Sequence, residues 1–256
     1  MKSNLNSFKP SEKLYMVKEL TGINVFRIDN PLECSIIERL NRFVVMVEIK
    51  GTNHRAHINS TGRLSELLVK EREAFCFRTQ NQGKTDFRLF AVEESGLGAL
   101  IDTNLQMKVF EKSLERTLIP WLEGCRILKR NAKLGASLID YLLECHGENI
   151  YLEVKSAVLR EGEYAMYPDC PSERGRKHIK ELSGYVKKGG EGILLFIAAL
   201  PHVKVFKPNK AADAKLYEDL KEAHASGVDI RAIGLYFNPK DACVYLFSHD
   251  LEINLS

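Results

Sequence analysis

The chain has 256 residues, 45% hydrophobic and 28% charged, enough apolar material for one large core or two of about 100 residues each, which excludes a disordered tail. Lysine and arginine number 37 against 34 acids, a formal net charge of +3, so a nucleic-acid surface has to come from local clustering of basic side chains. No run approaches the roughly 18 apolar residues of a membrane span, and MKSNLNSFKPSEKLYMVKEL has no signal-peptide pattern, so a cytoplasmic location is expected.

Residues 1–30 are set aside as an N-terminal extension in which SEKLYMVKEL can form one short helix. From Arg42 to about Thr103, short apolar alternations are split by turn residues, as in RFVVMVEIKG, AHINSTGR and the stretch from AFCFRT to GLGALID. That pattern predicts antiparallel strands, with SELLVKEREA as a short helix between them. Some five strands in so short a span point to a small OB-like β-barrel, assigned to residues 31–105.

The pattern changes near Gln106. Met107, Phe110, Leu114 and Leu118 recur at helical spacing and Pro120 is placed to stop the helix. ASLIDYLLE and NIYLEVKSA read as two strands of a hairpin closed by CHGE. SERGRKHIKELSGYVKK is a basic helix capped by Ser172 and stopped at Gly189–Gly190. GILLFIAAL is apolar enough for the middle of a covered sheet. KAADAKLYEDLKEAHASG is an amphipathic helix ending at Gly227, and DIRAIGLYF is a further strand. Strands alternating with helices argue a sheet with helices packed on it, over residues 106–247, followed by a tail at 248–256. The fold class is therefore α+β, a small barrel followed by an α/β domain.

Cys34, Cys76, Cys125, Cys145, Cys170 and Cys243 are scattered, with no CxxC pair and no histidine at zinc-ligand spacing. They read as small buried hydrophobes in a reducing compartment.

The most interpretable chemistry lies in the hairpin. In YLEVKS, alternation puts Glu153 and Lys155 on one face. Asp140 stands alone in an apolar strand, and closing the hairpin brings it opposite the region of Val154, one residue of slip away from Glu153. Two such carboxylates repel unless a cation sits between them, and a hard divalent ion, Mg²⁺ or Mn²⁺, fits that need. Such an ion polarises a phosphoryl oxygen and acidifies a water, with Lys155 stabilising developing charge, which together make a kit for phosphodiester hydrolysis. The structural alternative is that Asp140 caps a bend and Glu153 pairs with Lys155 on a solvated strand face. On the basic helix, Arg174 and Lys177 lie on one side and Arg176 on another. Arginine near a helix N-terminus suits a bound phosphate, although a merely solvated face has the same charge pattern. His178, between them, reads more readily as a packed side chain than as a base. Glu111 and Glu115, one turn apart on the earlier helix, are ordinary exposed acids or complete the metal site from the side.

Taken together, NRFVVMVEI, AHINSTGR, DTNL, LIDYLLE, YLEVKS and above all YPDCPSERGRKHIKEL resemble the sugar fermentation stimulation protein A family, from about Pro31 to Phe237. The resemblance implies an OB-fold domain followed by a restriction-endonuclease-like, PD-(D/E)xK domain, with an association with DNA. Its nuclease motif falls on Asp140, Glu153 and Lys155, and Glu111 matches an acidic position on the preceding helix. Asp169, Glu173, Arg174, Arg176 and His178 belong to a second motif expected to line the same cleft. His57, Thr61 and Arg63 match in the barrel. Departures fall at Asn59 and Ser60, where the family usually has proline and asparagine, at Asp102 in place of asparagine, and at Gln106–Met107 in place of proline–asparagine.

The expected function is a metal-dependent nuclease acting on DNA in preference to RNA. Asp140 and Glu153 would hold the ion, Lys155 and Glu111 would assist, and Arg174, Arg176, Lys177, His178, His57, Thr61 and Arg63 would face nucleic acid. No membrane partner is expected, and a homodimer is compatible with the sequence. The alternatives are a DNA-binding or regulatory protein that keeps the nuclease fold without turnover, and a carbohydrate-binding barrel.

Overall fold

A computed structural model of the chain describes residues 21–79 and 85–256. The expected helix at SEKLYMVKEL lies outside the described residues.

The first described strand, β1 (Ile23–Arg27), is followed by β2 (Leu32–Asn41), β3 (Val44–Ile49), β4 (Thr52–His57), β5 (Glu73–Arg78) and β6 (Phe87–Glu94). Strands β2, β3 and β4 form a meander, β5 bonds both β2 and β6, and a parallel β4–β6 pairing closes the circle. This strand order is that of an OB barrel. Alternation drives it: along β3, Val45, Val47 and Ile49 are buried while Glu48 is exposed. The predicted helix at SELLVKEREA does not form. Leu67 and Leu68 both donate to the Leu64 carbonyl, giving a single turn, and the Glu71 N–H is drawn away to Ile36 of β2. One long-range bond to a strand outweighs a weak local preference.

Strand β7 (Leu97–Leu100) leads into α1 (Thr103–Glu115). The cap of α1 is Asp102, whose carboxylate accepts from the Leu105 N–H. The helix ends before Pro120: Thr117 takes a positive φ, and Leu118 donates back to Ser113, so a left-handed residue closes the helix.

There follow β8 (Cys125–Leu134), β9 (Ser137–Cys145), β10 (Glu148–Ala157), β11 (Leu159–Glu161), β12 (Tyr164–Tyr167), α2 (Glu173–Val186), β13 (Glu191–Ala198), β14 (Val205–Pro208), α3 (Ala214–Ala225), β15 (Asp229–Asn238), β16 (Cys243–Ser248) and β17 (Glu252–Ile253). Strands β10, β13 and β15 run parallel, with Leu194 to Ala198 fully buried between their neighbours. Helices α2 and α3 bury Ile179, Leu182, Leu216 and Leu220, each worth about 1.5–3 kcal/mol of apolar burial. Strand β8 was not anticipated. Most of it is exposed and four of its residues are charged, so it shows no alternation, as is usual for a sheet edge. Its first residue corrects the reading of the cysteines as single thiols, because Cys125 and Cys145, directly opposite in the β8–β9 ladder, form a disulfide.

The two halves share one sheet. Strand β7 pairs with β6 on one side and with β15 on the other. Phe237 of β15 packs edge-on against Phe75 and Phe90 of the barrel, with ring centroids 5.1 and 5.0 Å apart. The segments set aside as extension and tail each supply a strand: β1 pairs with β16, and β17 with β14. No helix among the described residues is long and apolar enough to cross a membrane.

Candidate active site

The β9–β10 ladder runs from Cys145–Glu148 at the turn to Tyr141–Leu152. One step further in this register sets Asp140 against Glu153, without the slip expected from sequence. There the side chains replace the ladder. The Asp140 N–H donates to Glu153 Oε2 (3.3 Å), and the Val154 N–H donates to Asp140 Oδ2 (2.8 Å). Each strand thus presents its acid to the other's backbone at the point where the two separate.

Glu153 is buried, at 1% exposure. Its Oε1 accepts from the Lys155 ammonium and faces His178 Nδ1 at 2.5 Å. Burial pushes its carboxyl upward, but Lys155 and His178 outweigh that and hold it below the usual range. The reverse balance governs Lys155, which burial would lower and Glu153 raises. Asp140 has no such cation in contact. Burial, and then the Glu153 charge, push it up to about 6. Its Oδ1 accepts no hydrogen bond among the described residues, and Glu153 Oε2 has only the long contact from Asp140. Two carboxylate oxygens near excess negative charge are thus available for a hard cation.

The acids and Lys155 line a cleft of about 510 Å³ between the two halves. Its barrel wall is the segment from Asn59 to Leu64, fixed at both ends. Asn59 accepts from the Thr103 N–H (3.0 Å) and donates to Asp102 (3.0 Å). At the other end the Leu64 N–H donates to Asp169 Oδ2 (3.0 Å). Gly62 leaves room for that bond, since a Cβ there would lie 2.5 Å from Asp169 Oδ2 and displace the carboxylate.

Residues 37–101 match the SfsA N-terminal OB domain, and residues 104–241 match the sugar fermentation stimulation protein RE domain. The chain belongs to the SfsA family. The sugar fermentation stimulation protein homolog of Pyrococcus furiosus is 50% identical over 220 residues, covering 86% of this chain and 95% of the relative. That of Archaeoglobus fulgidus is 45% identical over 232 residues, covering 90% and 99%. The solved structure of Pyrococcus furiosus SfsA in complex with Ca²⁺ matches with a TM-score of 0.88 at 46% identity, covering 91% of this chain and 99% of that one.

Within this SfsA-family fold the other expected site residues separate into groups. Asp169, Glu173, Arg174 and Thr61 line the cleft with the acid pair, and His178 reaches it through Glu153. Glu111 does not. It accepts two hydrogen bonds from Arg130 (2.6 and 2.8 Å) and one from the Tyr141 hydroxyl (2.9 Å). Tyr141 follows Asp140 on the strand and so points to the opposite face. The Arg130 contact, opposed by burial, holds the Glu111 carboxyl below its usual range. Glu115 pairs with Lys112 in solvent. Arg176 is bound to Asp213, the cap of α3 (2.6 Å), and Lys177 to the Ala136 carbonyl (3.1 Å), so neither stands free toward the cleft. Arg63 is exposed but lies outside the cleft lining, and His57 stacks beside Phe43 on the barrel. Sequence reasoning missed Arg39 and the Asn59–Asp102–Arg88 contacts, which join distant residues and leave no local pattern. Two of the departures from the family's usual residues, Asn59 and Asp102, prove to be bonded to each other.

Proposed function

We propose that this protein is a divalent-metal-dependent nuclease that hydrolyses phosphodiester bonds in DNA. The observation that carries the reading is the convergence of Asp140, Glu153 and Lys155 on one cleft, with each acid bonded to the other's strand. Among the described residues no group of three or more His, Cys, Asp or Glu is arranged to hold a metal ion by itself. A larger cage is not needed, because Mg²⁺ is commonly held by one or two carboxylates together with waters and substrate phosphate. The family relative solved with Ca²⁺ supports a site for an ion of this oxygen-seeking class.

When bound, the ion supplies a polarised phosphoryl oxygen and a water of lowered pKa. The chain's own residues do the rest. Asp140 and Glu153 offer Oδ1 and Oε2 on the same side of the hairpin. His178 and Lys155 hold Glu153 Oε1, so that Oε2 keeps its aim toward Asp140. The Lys155 ammonium, bonded to Glu153, would stabilise the charge that grows on the phosphate in the transition state. Arg174, exposed at the cleft wall, would contact the strand backbone.

The test is incubation of purified protein with single- and double-stranded DNA and RNA, in Mg²⁺ or Mn²⁺ and in chelator. Ion-dependent cleavage is expected to fall at least 100-fold in Asp140→Ala, the scale on which a group acting on the transition state is lost. Absence of cleavage, or equal cleavage by the variant, rejects the reading and leaves a binding protein on a nuclease fold.

A further inference from the structure

Phe43, at the tip of the β2–β3 turn, is 43% exposed, yet its surroundings hold it in place. Its N–H donates to Asn41 Oδ1 (2.9 Å). The His57 ring lies 13° from parallel with it at a centroid distance of 6.4 Å, and the Arg42 guanidinium stands 5.7 Å from the ring centre. Arg42 also lines the cleft that holds Asp140 and Glu153. Arg39 ties this turn to the cleft wall. It donates to the carbonyls of Asn41 (3.1 Å) and Arg42 (2.8 Å) on one side, and of Gly62 (3.0 Å) and Arg63 on the other. The next residue along, Leu64, is bonded to Asp169. A run of hydrogen bonds therefore ties the turn that carries the exposed ring to Asp169, which lines the same cleft as the acid pair.

We propose that Phe43 is a stacking platform for an unpaired base, and that the nucleic acid taken by this protein is single-stranded, its backbone passing Arg42 into the cleft. What then happens to the strand rests on the nuclease reading; the binding does not. An aromatic face beside a cationic groove is the arrangement by which proteins hold single strands without reading sequence. In a duplex the base faces are occupied by their neighbours and reach a side chain only after extrusion. The cleft agrees: at about 510 Å³ it has the size of a small-molecule pocket, with a wall fixed at both ends. Arg42 and Arg63, both exposed, give this part of the barrel the charge a polyanion needs.

The test is fluorescence anisotropy with the full chain in Ca²⁺, using a short labelled DNA strand and the same strand annealed to its complement. The single strand is expected to bind more tightly. Phe43→Ala is expected to weaken that binding about tenfold, Phe43→Trp to restore it, and duplex binding to be unchanged. The ring is exposed, so neither variant disturbs the core. Equal binding of strand and duplex by the wild type, or a Phe43→Ala variant indistinguishable from it, overturns the proposal. The same preparations in Mg²⁺ separate the two readings. Phe43-dependent binding without cleavage removes the nuclease and keeps the platform, whereas ion-dependent cleavage that favours the duplex removes the platform and keeps the nuclease.

Discussion

Asp102 and Asp140 are both carboxylates drawn into the molecule, and the protein treats them in opposite ways. Asp102, at the seam between the halves, is 1% exposed, with three donors converging on its Oδ1 and Arg88 paired with its Oδ2. It accepts from the Leu105 N–H (2.9 Å), from Asn59 (3.0 Å) and from Arg88 (2.7 Å), whose Nε also pairs with it. Asp140 receives one backbone N–H and stands opposite a second acid. The first carboxylate caps α1 and pins a barrel residue, an architectural task completed by its partners. The second is left electrostatically incomplete, which costs stability and keeps an oxygen available to a cation. The number of donors gathered around a buried acid separates the two roles better than its burial does.

The largest effect that would break this contrast is at the seam. Asp102→Ala removes a helix cap and leaves Arg88 unpaired, so urea unfolding should show a loss of about 3 kcal/mol. A loss within the ordinary surface range would mean that the seam is not held in this way. The contrast is sharpened by Asp140→Asn, which keeps an acceptor for the Val154 N–H and removes the charge. In ion-free buffer at pH 7.5 this variant should be about 1 kcal/mol more stable than wild type, while losing cleavage and ion binding. A destabilised Asp140→Asn would place Asp140 with Asp102 as an architectural acid.

A smaller effect is the pH dependence behind that gain. Burial and Glu153 raise Asp140 to about 6 in the folded protein, against about 4 in an unfolded chain. Between those values the folded state holds a proton that the unfolded state has released. The contribution of this group to stability is therefore greatest below pH 4 and declines as pH rises through about 6, a decline that Asp140→Asn should abolish. The same proton competes with the ion. Ca²⁺ affinity, measured by calorimetry, should fall about tenfold for each pH unit below 6 and level off above it. An affinity flat from pH 5 to pH 7, values that bracket the shifted group, would exclude Asp140 from the ion site.

The parts of this molecule that sequence made legible are those whose cause is local. The β9–β10 hairpin, the Ser172 cap, the buried β13 strand and the Asp140–Glu153–Lys155 cluster each follow from alternation or spacing within about twenty residues. What escaped depends on contacts from far along the chain. Strand β8 carries Arg126, Lys129, Arg130 and Lys133 on an open edge, and only the neighbouring β9 makes it a strand. Residues 65–74 have the composition of a helix, but β2 claims the backbone of Glu71. Glu111 has the residue type and helical position of a site acid, and lost that place because Arg130, on the unanticipated β8, and Tyr141, on the far face of β9, hold it. Arg39, which joins the β2–β3 turn to the cleft wall, acts through backbone carbonyls, and no residue pattern marks a carbonyl.

The placement of β1 bears on how the molecule is assembled. Ile23 pairs with Leu246, so the strand that precedes the barrel is completed only by one of the last strands of the chain. Topologically the barrel is a guest inserted between β1 and the rest of the host domain. During synthesis the barrel can close on its own local pairings, while β1 waits for β16, about 220 residues further along, before it gains its partner.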